Sequence, residues 1–220
     1  MNTLTLDNVS YTYPGGVAPV VKNATYGFKT GKLYAVVGPS GSGKSTLLSM
    51  LAGLDAPREG YVFLGEENLN GLDLDKYRRE EVSIIFQAFC LLPLLTVREN
   101  VCLPMEMQGI PENEARQKAA EALVKVGIEE AKHKRFPSAL SGGEQQRVAI
   151  ARSLCSGAPV LLADEPTGNL DGENTRIVMD ILRRLAHEEG RCVIVVTHDP
   201  VVAEAADKVL RMKDGVLTAE

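Results

Sequence analysis

Positive charge, cysteine and long apolar runs are all scarce in this 220-residue chain, and each shortage removes a class of function. Lysine and arginine total 24 against 29 aspartate and glutamate, a net charge of −5, so general electrostatic attraction to DNA or RNA is not expected and nucleic acid is no default partner. The four cysteines (Cys90, Cys102, Cys155, Cys192) lie far apart with no C-x-x-C pair. That spacing fits reduced, packed thiols in a cytosolic protein rather than a zinc site or a disulfide framework. The N-terminus lacks a basic, apolar signal sequence, and no apolar run approaches the roughly 18 residues of a membrane span. The longest candidate, Ala88 to Val97, is short and interrupted by Pro93. Any role at a membrane is therefore expected to come through a partner. There are no internal repeats and no low-complexity tracts. At 45% hydrophobic content the chain can bury a sizeable core, as one unit or as a core with an inserted subdomain, and one nucleotide site is expected.

What is present begins with Gly38-Pro39-Ser40-Gly41-Ser42-Gly43-Lys44-Ser45, which satisfies G-x-x-x-x-G-K-[ST] at every constrained position. Leu33 to Val37 before it reads as a buried strand, and Thr46 to Ala52 after it as a helix with Leu47, Leu48 and Leu51 on one side. Strand, glycine-rich turn and helix are what this motif requires. Its backbone N–H groups converge on phosphate oxygens, aided by the positive end of the helix. Lys44 then reaches the β- and γ-phosphates, and Ser45 ligates Mg²⁺.

Around this loop the chain alternates between strand and helix patterns. Residues 3–13 and Ala24 to Phe28 alternate as half-buried strands, giving an antiparallel N-terminal layer, with Tyr11 and Tyr13 expected on one strand face. Tyr61 to Gly65 and Val82 to Phe86 read as further strands, the latter ending at Gln87, where α/β proteins place ligands. From Ala88 to about Arg152 the pattern turns helical, with an apolar stripe over Ala115, Ala119, Ala122, Leu123 and Val126. Leu140-Ser141-Gly142-Gly143-Glu144 opens another helix. Ser141 and Glu144 form a capping box, yet two adjacent glycines suit a helix start poorly unless something approaches the backbone closely, and an anion is the natural candidate. Val160 to Ala163 is a buried strand delivering Asp164 and Glu165 at its end. A carboxylate pair there is expensive unless it meets a metal or water, which in a chain with a phosphate loop points to hydrated Mg²⁺ held by Asp164, with Glu165 free to polarise water. Glu173 to His187 reads as an amphipathic helix with Ile177, Val178, Ile181, Leu182 and Leu185 inward. Cys192 to Val196 is the next strand, with His198 beyond it; His133 and His187 have no such setting and are expected to be solvated. Residues 208–218 make a hairpin.

The order of these motifs resembles the ATP-binding-cassette (ABC) ATPase family over essentially the whole chain. The resemblance rests on the signature Leu140 to Arg147, which carries Glu144 where glutamine is commonest, and on the phosphate loop. Gln87 matches the Q-loop, Val160 to Glu165 the Walker B strand, Gly168-Asn169-Leu170-Asp171 the D-loop, and His198 the switch histidine. Residues Ala163 to Asp171 look like the branch of lipoprotein-release, macrolide-export and antimicrobial-peptide-export ATPases. The resemblance implies a P-loop NTPase (RecA-like) α/β core with an antiparallel β layer over residues 1–87 and 156–220, and an inserted helical subdomain over 88–155. It implies ATP as substrate, Tyr13 stacked on adenine, residues Gly38 to Thr46 on the phosphates, and Ser45, Gln87 and Asp164 around Mg²⁺. Glu165, His198 and Lys44 are the catalytic residues it suggests. It also implies a head-to-tail dimer in which Ser141, Gly142, Gly143 and Asp171 of one chain complete the other's site. An integral membrane permease is the implied partner, with the apolar loop Phe89 to Val97 helping to form its docking groove, and the chain is placed peripherally on the inner face of the cell membrane. A regulatory ATPase acting on a membrane complex without transport fits the same residues. A soluble ABC ATPase of DNA repair or translation fits less well, since the single cassette is uninterrupted and acidic.

Overall fold

The computed structural model describes residues 3–219. Among these residues two sheets and seven α-helices are formed, beginning with β1 (Leu4–Tyr11), β2 (Val21–Phe28), β3 (Lys32–Val37), α1 (Lys44–Leu51), β4 (Glu59–Leu64), β5 (Glu67–Asn68), α2 (Leu74–Glu80) and β6 (Val82–Ile85). Next come α3 (Val97–Met107), α4 (Glu112–Lys125), α5 (Gly142–Cys155), β7 (Val160–Asp164), α6 (Gly172–His187), β8 (Cys192–Thr197), α7 (Pro200–Ala205), β9 (Lys208–Lys213) and β10 (Val216–Ala219).

The larger sheet has six strands in the order β10-β9-β3-β8-β7-β6. Pairing is parallel from β9 to β6, and β10 closes the edge by antiparallel pairing with β9. Helices and a second sheet cover its two faces, which is why β3, β7 and β8 read as unbroken apolar runs rather than alternating ones. The period of two is still visible in what each residue touches. Leu33 and Ala35 of β3 join the core formed with α3 to α6, while Tyr34 and Val36 join the core formed with α1 and the four-stranded antiparallel sheet β2-β1-β4-β5. Between β6 and β7 the chain forms only helices, single helical turns and loops.

Several expectations need correction. The first strand stops at Tyr11, so Tyr13 does not share its face: Tyr11 is buried, whereas Tyr13 lies in the following loop and is 48% exposed. Pro14 and Gly15 turn the chain there, and an extended strand cannot continue into them. On α6 the buried stripe centres on Val178, Leu182 and Ala186, and Ile177 is exposed. At 100° per residue it lies roughly 140° round the helix from Leu182. His133 is buried rather than solvated, its Nε2 3.1 Å from the Ile128 carbonyl. Its neighbours form a single tight turn, Glu130–Lys132, which tucks the ring inward. Cys90 is exposed although a packed thiol was expected; Cys102 and Cys192 are buried. Cys90 and Phe89 both take positive φ (49° and 61°), so the chain bends here and leaves the thiol outside the core.

Candidate active site

At Gly38 and Gly43 the surroundings of the phosphate loop leave no room for a side chain. A Cβ on Gly38 would run into the Met212 carbonyl oxygen of β9, and one on Gly43 would sit 2.6 Å from the Val20 carbonyl. Gly43, at φ 103°, also precedes the first residue of α1 with no side-chain cap, which leaves the helix's first N–H groups aimed at the loop. Ser42 Oγ is buried and has no hydrogen-bond partner among the described residues, an orphan that an anion or water in the loop would satisfy. Lys44 is buried, and its ammonium donates to the Gly38 carbonyl (2.9 Å) and the Pro39 carbonyl (3.2 Å). The lysine is therefore held over the loop by the loop's own backbone. Ser40 and Gly41 at the tip are exposed. Thr46 Oγ1 lies 2.8 Å from Tyr13 Oη, and the Tyr13 ring meets Tyr11 edge-on at 5.1 Å. Tyr13 thus stands beside the loop despite leaving the strand.

The carboxylates arrive at the C-terminal end of β7, beside β8. Ser45 Oγ donates to Asp164 Oδ1 at 3.1 Å, bringing two oxygen donors together. Burial, opposed by the Ser45 hydrogen bond, pushes the Asp164 carboxyl above its usual range. A hard divalent cation suits this oxygen pair. Among the described residues no three His, Cys, Asp or Glu side chains gather to hold a metal, so phosphate and water would complete its shell. Glu165 departs from ordinary strand geometry: its φ is +46°, a left-handed conformation that costs a non-glycine residue about 1 kcal/mol. Its amide still donates to the Val196 carbonyl at 2.9 Å, and the turn throws the side chain across the top of β8. There Oε2 accepts from Thr197 Oγ1 (3.0 Å) and the His198 amide (3.3 Å), while Oε1 lies 3.0 Å from His198 Nδ1 and 4.0 Å from Lys44 Nζ. A carboxylate oriented by a threonine, a histidine and a lysine is suited to taking a proton from water beside a phosphate. Sequence reasoning missed Thr197, for which its place beside His198 at the strand end was the available signal.

Gln87 does not reach Asp164 or Ser45 by any hydrogen bond. It faces the turn after β7, where Asn169 Nδ2 donates to its carbonyl at 3.3 Å and a Cβ on Gly168 would lie 2.8 Å from its Nε2. Just beyond, the carbonyls of Phe89 and Cys90 accept from Arg152 of α5 at 3.1 and 2.6 Å, a clamp the sequence did not disclose. Asp171 caps α6, accepting from the Asn174 amide at 2.8 Å and from its side chain, and these bonds hold its carboxyl below the usual range.

Ser141, Gly142 and Gly143 share no hydrogen bond with the phosphate loop among the described residues. Ser141 caps α5, with the expected box formed: Ser141 N donates to Glu144 Oε2 at 2.9 Å and Glu144 N to Ser141 Oγ at 3.3 Å. The second glycine has a neighbour in its own chain. A Cβ on Gly143 would overlap Asn174 Oδ1 and Cγ, and Asn174 Oδ1 accepts from Arg147 at 2.9 Å. Gly142 is freer, its hypothetical Cβ 3.7 Å from the Phe89 ring.

A groove of about 570 Å³ opens between α2, β6, α3 and α5, with Arg78, Ile84, Leu103, Pro104, Met107 and Arg152 among its lining. The loop 89–97 does not line it; Leu92 and Leu94 project from that loop and are exposed. No helix among the described residues is long and apolar enough to cross a membrane.

Residues 21–168 match the sequence model of the ABC transporter family. The chain is 42% identical over 214 residues to the lipoprotein-releasing system ATP-binding protein LolD of Idiomarina loihiensis, covering 96% of this chain and 93% of that one. It is 40% identical over 222 residues to the macrolide export ATP-binding/permease protein MacB 1 of Yersinia pestis, covering 99% of this chain but 34% of that longer one. Among solved structures, the dimeric post-hydrolysis state of the ATP-binding cassette MJ0796 from Methanocaldococcus jannaschii, bound to ADP and Pi, superposes with a TM-score of 0.90 at 41% identity, over 99% of this chain and 97% of that one. The chain that carries this phosphate loop, carboxylate pair and capped second loop belongs to the ABC transporter family as an ATP-binding, ATP-hydrolysing P-loop cassette.

Proposed function

We propose that this cassette is the ATPase subunit of a transporter, working as a head-to-tail dimer beneath a separate membrane-spanning permease. Export or extraction of a lipoprotein, macrolide or antimicrobial peptide is the task that its likeness to LolD and MacB supports. One observation carries the dimer: Lys44, Ser45, Asp164, Glu165 and His198 converge on one site, while the capped N-terminus of α5 with Ser141, Gly142 and Gly143 shares no hydrogen bond with it. A second copy supplies that helix end, and the MJ0796 relative is itself dimeric.

In this reading Gly38 to Thr46 hold the phosphates of ATP, Tyr13 meets the adenine, and Ser45 and Asp164 would hold Mg²⁺, with Gln87 joining them only after turning from Gly168 and Asn169. When bound, the ion neutralises charge on the phosphate oxygens. Glu165 takes the proton of the attacking water, and His198, bonded to the same carboxylate, orients it and the γ-phosphate. The partner's Ser141 to Gly143 present backbone N–H groups to the γ-phosphate, and Asp171 fixes the turn that lies against them. The helical segment 88–155 moves as the unit that carries this surface, and Gln87 joins it to the site. The groove beside Arg152 receives a cytoplasmic segment of the permease, placing the chain peripherally at the inner face of the membrane. Arg152 ties that groove to the turn two residues beyond Gln87.

The test mixes Ser141→Ala chains with Lys44→Ala chains. Each heterodimer then has one site with both lesions and one with neither, so ATPase activity above that of either variant alone is expected. No recovery with heterodimers demonstrably present, together with an active heterodimer of Ser141→Ala and wild type, refutes the sharing of sites between chains.

A further inference from the structure

The capping box that shapes the start of α5 carries a full charge at an awkward place. Glu144 is the third residue of that helix, and its carboxylate is spent on the Ser141 amide at 2.9 Å. A glutamine would accept the same hydrogen bond through its amide oxygen and bring no charge. A helix N-terminus attracts anions, but a carboxylate one turn away opposes them. The structure answers this charge locally. Lys132 Nζ donates to Glu144 Oε1 at 2.6 Å, with both side chains largely withdrawn from solvent, at 28% and 16% exposed. The Lys132 hydrogen bond is the largest cause holding the Glu144 carboxyl down to about 2. Arg147, one turn further along α5, is occupied by Asn174 and shares no hydrogen bond with Glu144. Lys132 is delivered from a separate single turn twelve residues upstream, and that turn is fixed independently: the Arg98 amide donates to the His133 carbonyl at 3.0 Å, and His133 Nε2 lies 3.1 Å from the Ile128 carbonyl.

We propose that Lys132 is a positioning residue for ATP turnover. By neutralising Glu144 it lets the N-terminus of α5, with Ser141, Gly142 and Gly143, receive the terminal phosphate of a nucleotide held by a second copy of the chain. The inference rests on the sharing of sites proposed above. On this reading the lysine matters only because the glutamate is charged.

The experiment measures ATP-dependent dimerisation in a Glu165→Gln background, ATPase kinetics in the wild-type background, and thermal melting in both. Lys132→Met leaves one uncompensated charge near the phosphate, so the ATP concentration for half-maximal dimerisation should rise about tenfold and kcat should fall. Lys132→Gln keeps a hydrogen-bond donor without the charge and should behave like Lys132→Met, while Lys132→Arg should behave like wild type. The deciding variant is Lys132→Met/Glu144→Gln. It lacks the ion pair altogether, yet it should return to within about threefold of wild type, because no net charge remains. A merely mechanical tie between the 130–132 turn and α5 predicts the opposite, with the double variant as impaired as the single one. Either that result or a wild-type ATP dependence in Lys132→Met overturns the inference. Failure of the underlying reading looks different: Glu165→Gln itself would then stay monomeric with ATP, or the mixed Ser141→Ala and Lys44→Ala chains would show no recovery while the heterodimer of Ser141→Ala with wild type stays active, and the role of Lys132 would fall with it.

Discussion

Replacing Gly143 by alanine separates two reasons for a glycine at the start of α5. The added Cβ would overlap Asn174 Oδ1 and Cγ and come within 3.0 Å of its Cβ, so the asparagine has to move. Moving it breaks the bond from Arg147 at 2.9 Å and leaves a guanidinium whose Nε is already buried without a partner among the described residues. Losing a charge-assisted bond of this kind costs about 1.5–3 kcal/mol. Alanine's better helix propensity offsets at most ~1 kcal/mol of that. The net loss should be about 1–2 kcal/mol, which lowers a urea midpoint by about 0.5 M for a chain of this size. In an Asn174→Gly background the same methyl group meets nothing, and Gly143→Ala should be neutral or slightly stabilising. The measurement is a double-mutant cycle of urea unfolding followed by circular dichroism, with an expected coupling of about 1.5–3 kcal/mol. Equal effects of Gly143→Ala in the two backgrounds would refute the steric argument. If ATPase activity alone were lost in both, the glycine would be there for an approaching anion.

Two further outcomes follow from the site. Glu165→Gln should keep ATP binding while turnover falls by about 10²–10⁴, and the protein should accumulate as an ATP-bound dimer in light-scattering measurements; near-normal turnover with intact folding removes Glu165 as the principal base. The second concerns acid. The Glu144 carboxyl is lowered from an ordinary 4.5 to about 2 by the Lys132 and Ser141 bonds, so its contribution to stability is complete above the unfolded value and is lost as pH falls toward 2. Glu144→Gln should therefore flatten the decline of the urea midpoint between about pH 4.5 and 2, and an unchanged slope would show that other carboxylates govern that window.

What could be read from the sequence, and what could not, divides along a physical line. The phosphate loop, the Ser141–Glu144 box and the buried strand ending in Asp164 and Glu165 were legible because each is a local pattern imposed by backbone geometry. Contacts between distant segments were not. The two glycines at 142 and 143 announced a need for space without naming the occupant, which at Gly143 is a side chain thirty-one residues away. Residues 208–218 read as a hairpin, but nothing local signals that β9 also pairs in parallel with β3. The short helices α2 and α7 lie in stretches with too few turns to show a period. The positive φ of Phe89, Cys90 and Glu165 is equally silent, because none of the three is a residue type that favours it.

The seating of Gly38 against the Met212 carbonyl has a consequence for how the protein comes into being. The phosphate loop is encoded early, yet one wall of it is β9, and β3 pairs in parallel with β8 on one side and β9 on the other. On a ribosome adding roughly 5–20 residues per second, β3 emerges some 10–30 s before either neighbour exists. During that interval the loop's strand has no partner on either edge, and only its Tyr34 and Val36 face can be covered, by α1 and the antiparallel sheet made close to it in time. The wall that β9 lends to the phosphate loop is therefore missing until the end of synthesis. Unpaired strand edges invite association with other chains, so slowing translation between β3 and β8 should raise aggregation more than the same pause placed before β3.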